Sequence, residues 1–308
     1  MRKFNCIDLF AGLGGLSTGA VMAGHSVIWA GNHWDTAVKY HQLNHPNTEH
    51  VCQDLQQANF YQLPSYDCLL ASPACQGHSL GRGRDLARHE ISRSTAWAVV
   101  AALEAGSPPL FEVENVEKFT DWNLFKAWKY AIESLGYSLS INLLDAADYG
   151  VPQNRLRNFI IGTKSKKPLP LKLEKQPPVT ARSVIDLDSG NWSPIKTKRR
   201  SPKTLARIER GRRELKTDTF LIPYYSSGSG LTGRSLDRPI GTLTTVDRYG
   251  IVRGDEMRML TVDEMRKFMS FPDDTKLPPQ HKIATKLLGN AVPPLLQKQI
   301  LEYVAAAA

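Results

Sequence analysis

The chain has 308 residues, 42% of them hydrophobic, and carries 39 Lys or Arg against 30 Asp or Glu for a formal charge of +9. That is enough apolar material for a sizeable core in one large domain or two unequal ones, and no apolar run approaches the roughly 20 residues of a membrane span. Cys6, Cys52, Cys68 and Cys75 share no CxxC spacing, and no flanking histidine sits at zinc-ligand distance from a second thiol, so neither a disulfide framework nor a structural metal is indicated and a reducing, cytoplasmic compartment fits best.

In chain order, "FNCIDLF" (4–10) is a short apolar run broken by "AGLGG", after which "LSTGAVMAG" has the spacing of a helix packed on a sheet. Gly12, Gly14 and Gly15 fit either close backbone approach to a ligand or a structural tight turn. "HSVIWAGNHW" repeats the unit, with Val27, Ile28 and Trp29 as strand and a polar turn at Asn32. Trp34 reads as a platform for a flat ring or as a core residue. Asp54 reads as an acceptor at a strand end or as a helix cap. "YDCLLASPACQ" gives another strand ending in a loop, "STAWAVVAALEA" a helix, "PLFEVENV" a strand, and "NLFKAWKYAIESLGY" an amphipathic helix stopped near Gly136. Alternating strands and helices predict a doubly wound α/β sheet with ligands at the carboxyl ends of its strands.

The pattern changes after "NFIIGTK". Residues 164–216 hold 16 Lys or Arg against 5 Asp or Glu, a charge of +11, which leaves the rest of the chain at −2. A positive field confined to one segment suits a polyanion, because each cation near a phosphate releases counterions; a solvated basic face is the plainer reading. "TVDEMRKFMSF" and "ATKLLGNAVPPLLQKQILEYV" restore a helical pattern, with Pro293 and Pro294 near the start of the last helix, and the final "AAAA" reads as a fraying end. The expected division is 1–163 plus 257–308 as one domain and 164–256 as a smaller basic one.

Taken in order, six strings resemble the DNA cytosine-5 methyltransferase family: "DLFAGLGGLSTG", "SPACQGHS", "ENV" (114–116), "QNRLR" (153–157), "RPIGTLTT" (238–245) and "GNAVPP" (289–294). Any one is weak alone. The shared order, with the basic segment between the fourth and fifth, makes the likeness specific. It implies a Rossmann-like class I methyltransferase fold with a doubly wound mixed sheet and a target-recognition domain.

The resemblance implies S-adenosyl-L-methionine as methyl donor, held by Asp8, Phe10, Gly12, Leu13, Gly14, Gly15, His33, Trp34, Asp54, Leu55, Pro73, Asn290 and Val292. It makes Cys75 the nucleophile that adds to cytosine C6, so that C5 becomes enamine-like and takes the methyl. Glu114 would contact N3 and the 4-amino group, Arg157 would reach O2, and Arg155 would hold the loop and neutralise charge. The target base has to leave the duplex to meet the thiol. Double-stranded DNA is the expected partner, gripped by Gln76, Ser79, Arg199, Arg200, Lys203, Arg207, Arg212, Arg213 and Arg234. A monomer is expected, without metal or membrane, with a restriction endonuclease as a candidate companion. A tRNA-modifying branch shares the motifs, and a nucleic-acid-binding protein without catalysis is the rival from another class.

Three positions depart from the family pattern. Ala74 stands directly before Cys75 where proline is usual, so a looser loop is expected. His33 replaces a glutamate at the cofactor ribose, which implies weaker or rearranged ribose binding. Glu112 shares a strand face with Glu114, and a like charge is expected to raise the pKa of Glu114.

Overall fold

The computed structural model describes residues 2–74, 94–198, 200–224 and 228–307; the expected site residues Cys75, Gln76, Ser79 and Arg199 lie outside them. The strands of the larger sheet are β1 (Asn5–Leu9), β2 (Ser26–Asn32), β3 (Glu49–Cys52), β4 (Cys68–Ala71), β5 (Leu110–Val116), β6 (Ser138–Asp145) and β7 (Leu156–Thr163). They lie in the order β3-β2-β1-β4-β5-β7-β6. The first five pair in parallel, while β7 runs antiparallel to both β5 and β6. A mixed, doubly wound sheet is therefore present: the alternating pattern predicted the double winding and the resemblance implied the mixed pairing.

Strand β1 is buried on both faces apart from Asn5, the signature of a strand covered by helices above and below. Helices α1 (Gly15–Met22), α2 (Asp35–Asn44), α3 (Ala96–Gly106) and α4 (Phe125–Ser134) alternate with the strands. On one face Ile7, Leu9, Leu69, Phe111 and Val113 pack with Val99 and Leu103 of α3 and Trp128 and Ile132 of α4. On the other, Cys6, Cys68 and Leu70 pack with Leu16 and Ala20 of α1 and with the C-terminal helix.

The basic region builds a second sheet from β8 (Ser193–Pro194), β9 (Thr219–Pro223), β10 (Tyr249–Arg253) and β11 (Glu256–Met259), all antiparallel in the order β8-β11-β10-β9. Helix α5 (Pro202–Leu215) lays Ile208 against Phe220, Ile222 and Val252. Strand β11 belongs to this sheet and carries it past residue 256, to Met259. At the other edge Leu169, Leu171 and Leu173 pack on the larger sheet's core, and the Leu171 amide donates to Asn142 Oδ1 at 2.9 Å.

Helices α6 (Val262–Phe268), α7 (His281–Asn290) and α8 (Pro294–Ala307) close the chain. The "ATKLLGNAVPPLLQ" stretch is thus two helices, with Pro294 at the first position of the second, where its missing N–H costs nothing. Ala305, Ala306 and Ala307 extend α8, and Ala305 is buried. A third core joins the units, with Leu13 and Ala37 meeting Leu221, Leu236, Ile240, Tyr249 and Ile251, together with Phe268 and Leu288. Among the described residues no helix is long and apolar enough to cross a membrane.

Candidate active site

The chain runs outward from β1 to β2 and β3, then returns to β4 on the other side of β1, and the carboxyl ends of strands flanking such a reversal form a crevice. Segments from each end line one cleft: Phe10–Gly12 after β1, Asn32–Trp34 at β2, Ser72–Ala74 after β4, and Glu114 on β5. Arg155 and Arg157 at β7 and Lys286 and Gly289–Val292 at the end of α7 complete it.

The glycine-rich turn is shaped by left-handed backbone. Phe10 has φ 64°, a conformation that costs a non-glycine residue ~1–3 kcal/mol. Gly12 follows at φ 59°, and a Cβ there would meet only the Phe10 carbonyl at 3.8 Å, so this backbone is open to the cleft. A Cβ at Gly15, by contrast, would lie 2.1 Å from the Val292 carbonyl oxygen. The start of α1 and the start of α8 therefore touch backbone to backbone. At the neighbouring strand end the Trp34 amide donates to Asn32 Oδ1 at 2.9 Å, and Lys286 Nζ sits 4.1 Å from the centroid of the Trp34 ring.

Of the expected cofactor residues, Phe10, Gly12, Gly15, His33, Trp34, Pro73, Asn290 and Val292 line the cleft. His33 is exposed at its rim. The other five do not line it. Asp8 points into the layer beneath α1, where Ser17 Oγ donates to its Oδ2 at 2.6 Å, and burial pushes its carboxyl up to about 7. Leu13 packs in the third core, and Gly14 abuts the rings of His41 and His45. Asp54 is exposed and caps a short turn by accepting from the Gln56 amide at 3.0 Å, while Leu55 is buried in the first core.

Glu114 is held from two sides: Ser72 Oγ donates to its Oε2 at 2.7 Å, and Arg157 Nε lies 3.3 Å from its Oε1. Arg155 is buried and reaches past the cleft, donating to the carbonyls of Leu243 at 3.1 Å and Gly289 at 3.0 Å. Gln153, also buried, accepts from the Leu243 amide and donates to the Phe268 carbonyl. Together they pin the "GTLTT" and "GNAV" segments to β7.

Glu112 lies on the Glu114 side of β5, and Gln297 Nε2 donates to its Oε2 at 2.9 Å. Burial pushes Glu112 itself up to about 8, with Glu114 and Asp8 adding to the rise.

Several of the residues expected at phosphates also make contacts within the unit. Arg200 donates to the carbonyls of Ile195 and Pro194 and to Ser193 Oγ. Arg212 is within ion-pair reach of Glu209, Asp218 and Asp255, and Arg207 lies over the Tyr224 ring. Arg234 is half-buried and its backbone bridges to Leu221. Lys203 and Arg213 are exposed on α5, and Arg210, which the sequence reading passed over, joins them on that face. Ser72, Asn115 and Lys286 were also passed over. The helical spacing of Lys286 and Asn290 was the available signal for Lys286. Among the described residues no group of three His, Cys, Asp or Glu is arranged to hold a metal ion.

Residues 4–306 match the C-5 cytosine-specific DNA methylase family. The type II methyltransferase M.AplI of Arthrospira platensis is 32% identical over 315 residues, covering 97% of this chain and 84% of that protein. M.HaeII of Haemophilus aegyptius is 28% identical over 302 residues, covering 95% and 90%. The fold is shared with a DNA modification methyltransferase encoded within an E. coli prophage, at a TM-score of 0.70 and 23% identity with 98% of each chain covered. A family match that spans nearly the whole chain, over a crevice built from the expected motifs, means that the protein belongs to the C-5 cytosine-specific DNA methylases and is a DNA cytosine-5 methyltransferase.

Proposed function

We propose that the chain methylates C5 of a cytosine flipped out of a specific duplex DNA sequence, with S-adenosyl-L-methionine as donor and a covalent bond from Cys75 to C6. The observation that carries this reading is the Glu114–Arg157–Ser72 cluster in the same cleft as the β1 turn and Trp34, with Ala74 bringing the chain to the cysteine. The cleft suits the donor: an aromatic face at Trp34, open backbone at Gly12 and polar groups at Asn32 and Asn290 match a flat heteroaromatic ring, a ribose and a charged tail. When bound, S-adenosyl-L-methionine supplies a methyl group on a positively charged sulfur.

The Cys75 thiolate forms the C6–S bond, and the displaced ring electrons move toward N3 and O2. Glu114, steadied by Ser72 and Arg157, meets N3 and the 4-amino group, and so favours cytosine over thymine. Arg157 offers its guanidinium to O2. After C5 is alkylated, its proton leaves to water, the C6–S bond breaks, and the thiolate is restored. Base extrusion costs a few kcal/mol, offset by phosphate contacts from the exposed α5 face. The second sheet with α5 is the target-recognition unit in this reading.

A duplex carrying 5-fluorocytosine tests it, because fluorine at C5 blocks the proton loss that frees the enzyme. The expected result is a covalent adduct on that duplex, absent for Cys75→Ser and absent with tRNA. Failure to trap any adduct, or an adduct that survives Cys75→Ser, refutes the mechanism; adduct on tRNA alone refutes the DNA substrate.

A further inference from the structure

Resting on the reading of Cys75 as nucleophile, we propose that Thr95 is a positioning residue whose hydroxyl oxygen holds the Ala74 amide and so fixes the Pro73–Ala74 peptide unit, one residue before Cys75. Each residue before the cysteine has its own anchor. The Ser72 amide donates to the Leu9 carbonyl at 3.2 Å, and Asn115 Nδ2 donates to the Pro73 carbonyl at 3.0 Å. The Ala74 amide donates to Thr95 Oγ1 at 3.1 Å.

Only a residue with an N–H can make the third contact, and proline at position 74 could not. Alanine gives up the ring that restricts the backbone and gains a donor, and Thr95 is where that donor is met. Thr95 also occupies the N-cap position of α3, yet its side chain makes no capping bond and its backbone is helical (φ −59°, ψ −25°). A threonine at a helix start ordinarily turns its oxygen on the helix's own amides; here the oxygen faces Ala74.

The anchor is rigid. Helix α3 is set into the first core through Ala96, Val99 and Leu103, and Trp128 Nε1 donates to the Ala96 carbonyl at 2.9 Å. A thiolate has to approach C6 within tenths of an ångström of the productive line, so freedom at the preceding peptide is lost as rate.

The test is the single-turnover rate of adduct formation on the 5-fluorocytosine duplex by the full chain, with DNA and donor saturating. Thr95→Val keeps the shape and removes the acceptor; it is expected to slow the adduct roughly tenfold with KM values unchanged, the cost of one hydrogen bond made good only in the reacting geometry. Thr95→Ser, which keeps the oxygen, is expected to stay within about twofold of the parent. In an A74P background there is no amide to hold, so Thr95→Val should cost less than about twofold. A parental rate for Thr95→Val, a loss confined to KM, or equal losses in both backgrounds would overturn the proposal. Should A74P not fold, the Val and Ser variants at position 95 decide alone. Cys75→Ser separates the two levels: if it abolishes the adduct while Thr95→Val leaves the rate untouched, only the role of Thr95 falls.

Discussion

At the scale of single residues, the side chains that form the cleft were legible and those that support it were not. Glu114, Arg157 and Trp34 stand in short motifs whose residue types announce their chemistry, and all three face the cleft. Asp8 sits in the same kind of motif but points the other way, because alternate residues of β1 face opposite sides of the sheet. No motif says which side is covered. Glu112 exposes the same limit, since its amide partner Gln297 lies 185 residues away in sequence. A buried carboxyl at about 8 has a consequence for stability. The folded state keeps the proton while the unfolded chain, titrating near 4.5, releases it, so stability from this group is full below about 4.5 and falls as pH rises to about 8. Asp8 adds a loss of the same sign between 3.8 and about 7. The neutral isostere Glu112→Gln is therefore expected to flatten the decline of the melting temperature between pH 5 and 8 and to melt higher than the parent at pH 8. Thermal denaturation across that range checks it, and an unchanged slope would count against a neutral Glu112.

At the scale of elements, the legible ones were those with a strong period and clear punctuation. Strand β1, helix α4 and the end of β7 at Thr163 fall where the apolar runs, Gly136 and the charge change put them. Strand β6 was missed because Ile141 and Leu143 are exposed on a sheet edge, so its alternation does not mark a buried face. Helix α2 was missed because it is polar, and its buried His41 bonds to Ser17 and His50 and does not form an apolar stripe. Of the short strands of the second sheet, β8 and β9 sit among prolines and lysines that read as loop. That α1 packs on a sheet was legible in its spacing, but which side chains meet between helices was not. Gly19 of α1 lies so near α8 that an added Cβ would fall 2.4 Å from Gln297 Cβ. Gly19→Ala is expected to lower the unfolding free energy by ~1–3 kcal/mol, as overpacked cores do, despite alanine's better helix propensity. Urea denaturation measures this, and a stabilised variant would show that α8 yields freely.

At the scale of the whole molecule, the charge map was legible and its division of labour was not. The basic segment holds helix α5 and the first strand of the second sheet, and within it Arg200 and Arg212 contact internal carbonyls and carboxylates. Among the cations of α5, Lys203, Arg210 and Arg213 are exposed and lie along one face. If these meet phosphates, each releases about one counterion, so the Lys203→Ala/Arg213→Ala pair should make the log–log salt dependence of DNA binding shallower by about 2. Arg212→Ala should instead lower the melting temperature. Binding titrations over a salt series decide between the two sets; an unchanged slope for the pair would move the phosphate grip elsewhere.

The core that joins Leu13 and Ala37 to Leu221, Ile240 and Tyr249 limits how this enzyme can be rebuilt. A counterpart of the second sheet transplanted from a relative would bring its own apolar face to Leu13, whose backbone lies within the glycine-rich turn. Chimeras cut at the two edges of the second sheet would thus inherit a mismatched seam directly behind the cleft proposed for the methyl donor. Retargeting this protein to a new sequence is therefore a problem of interior packing before it is one of base contacts, and the residues to carry over with any graft are Leu236, Ile240 and Leu243.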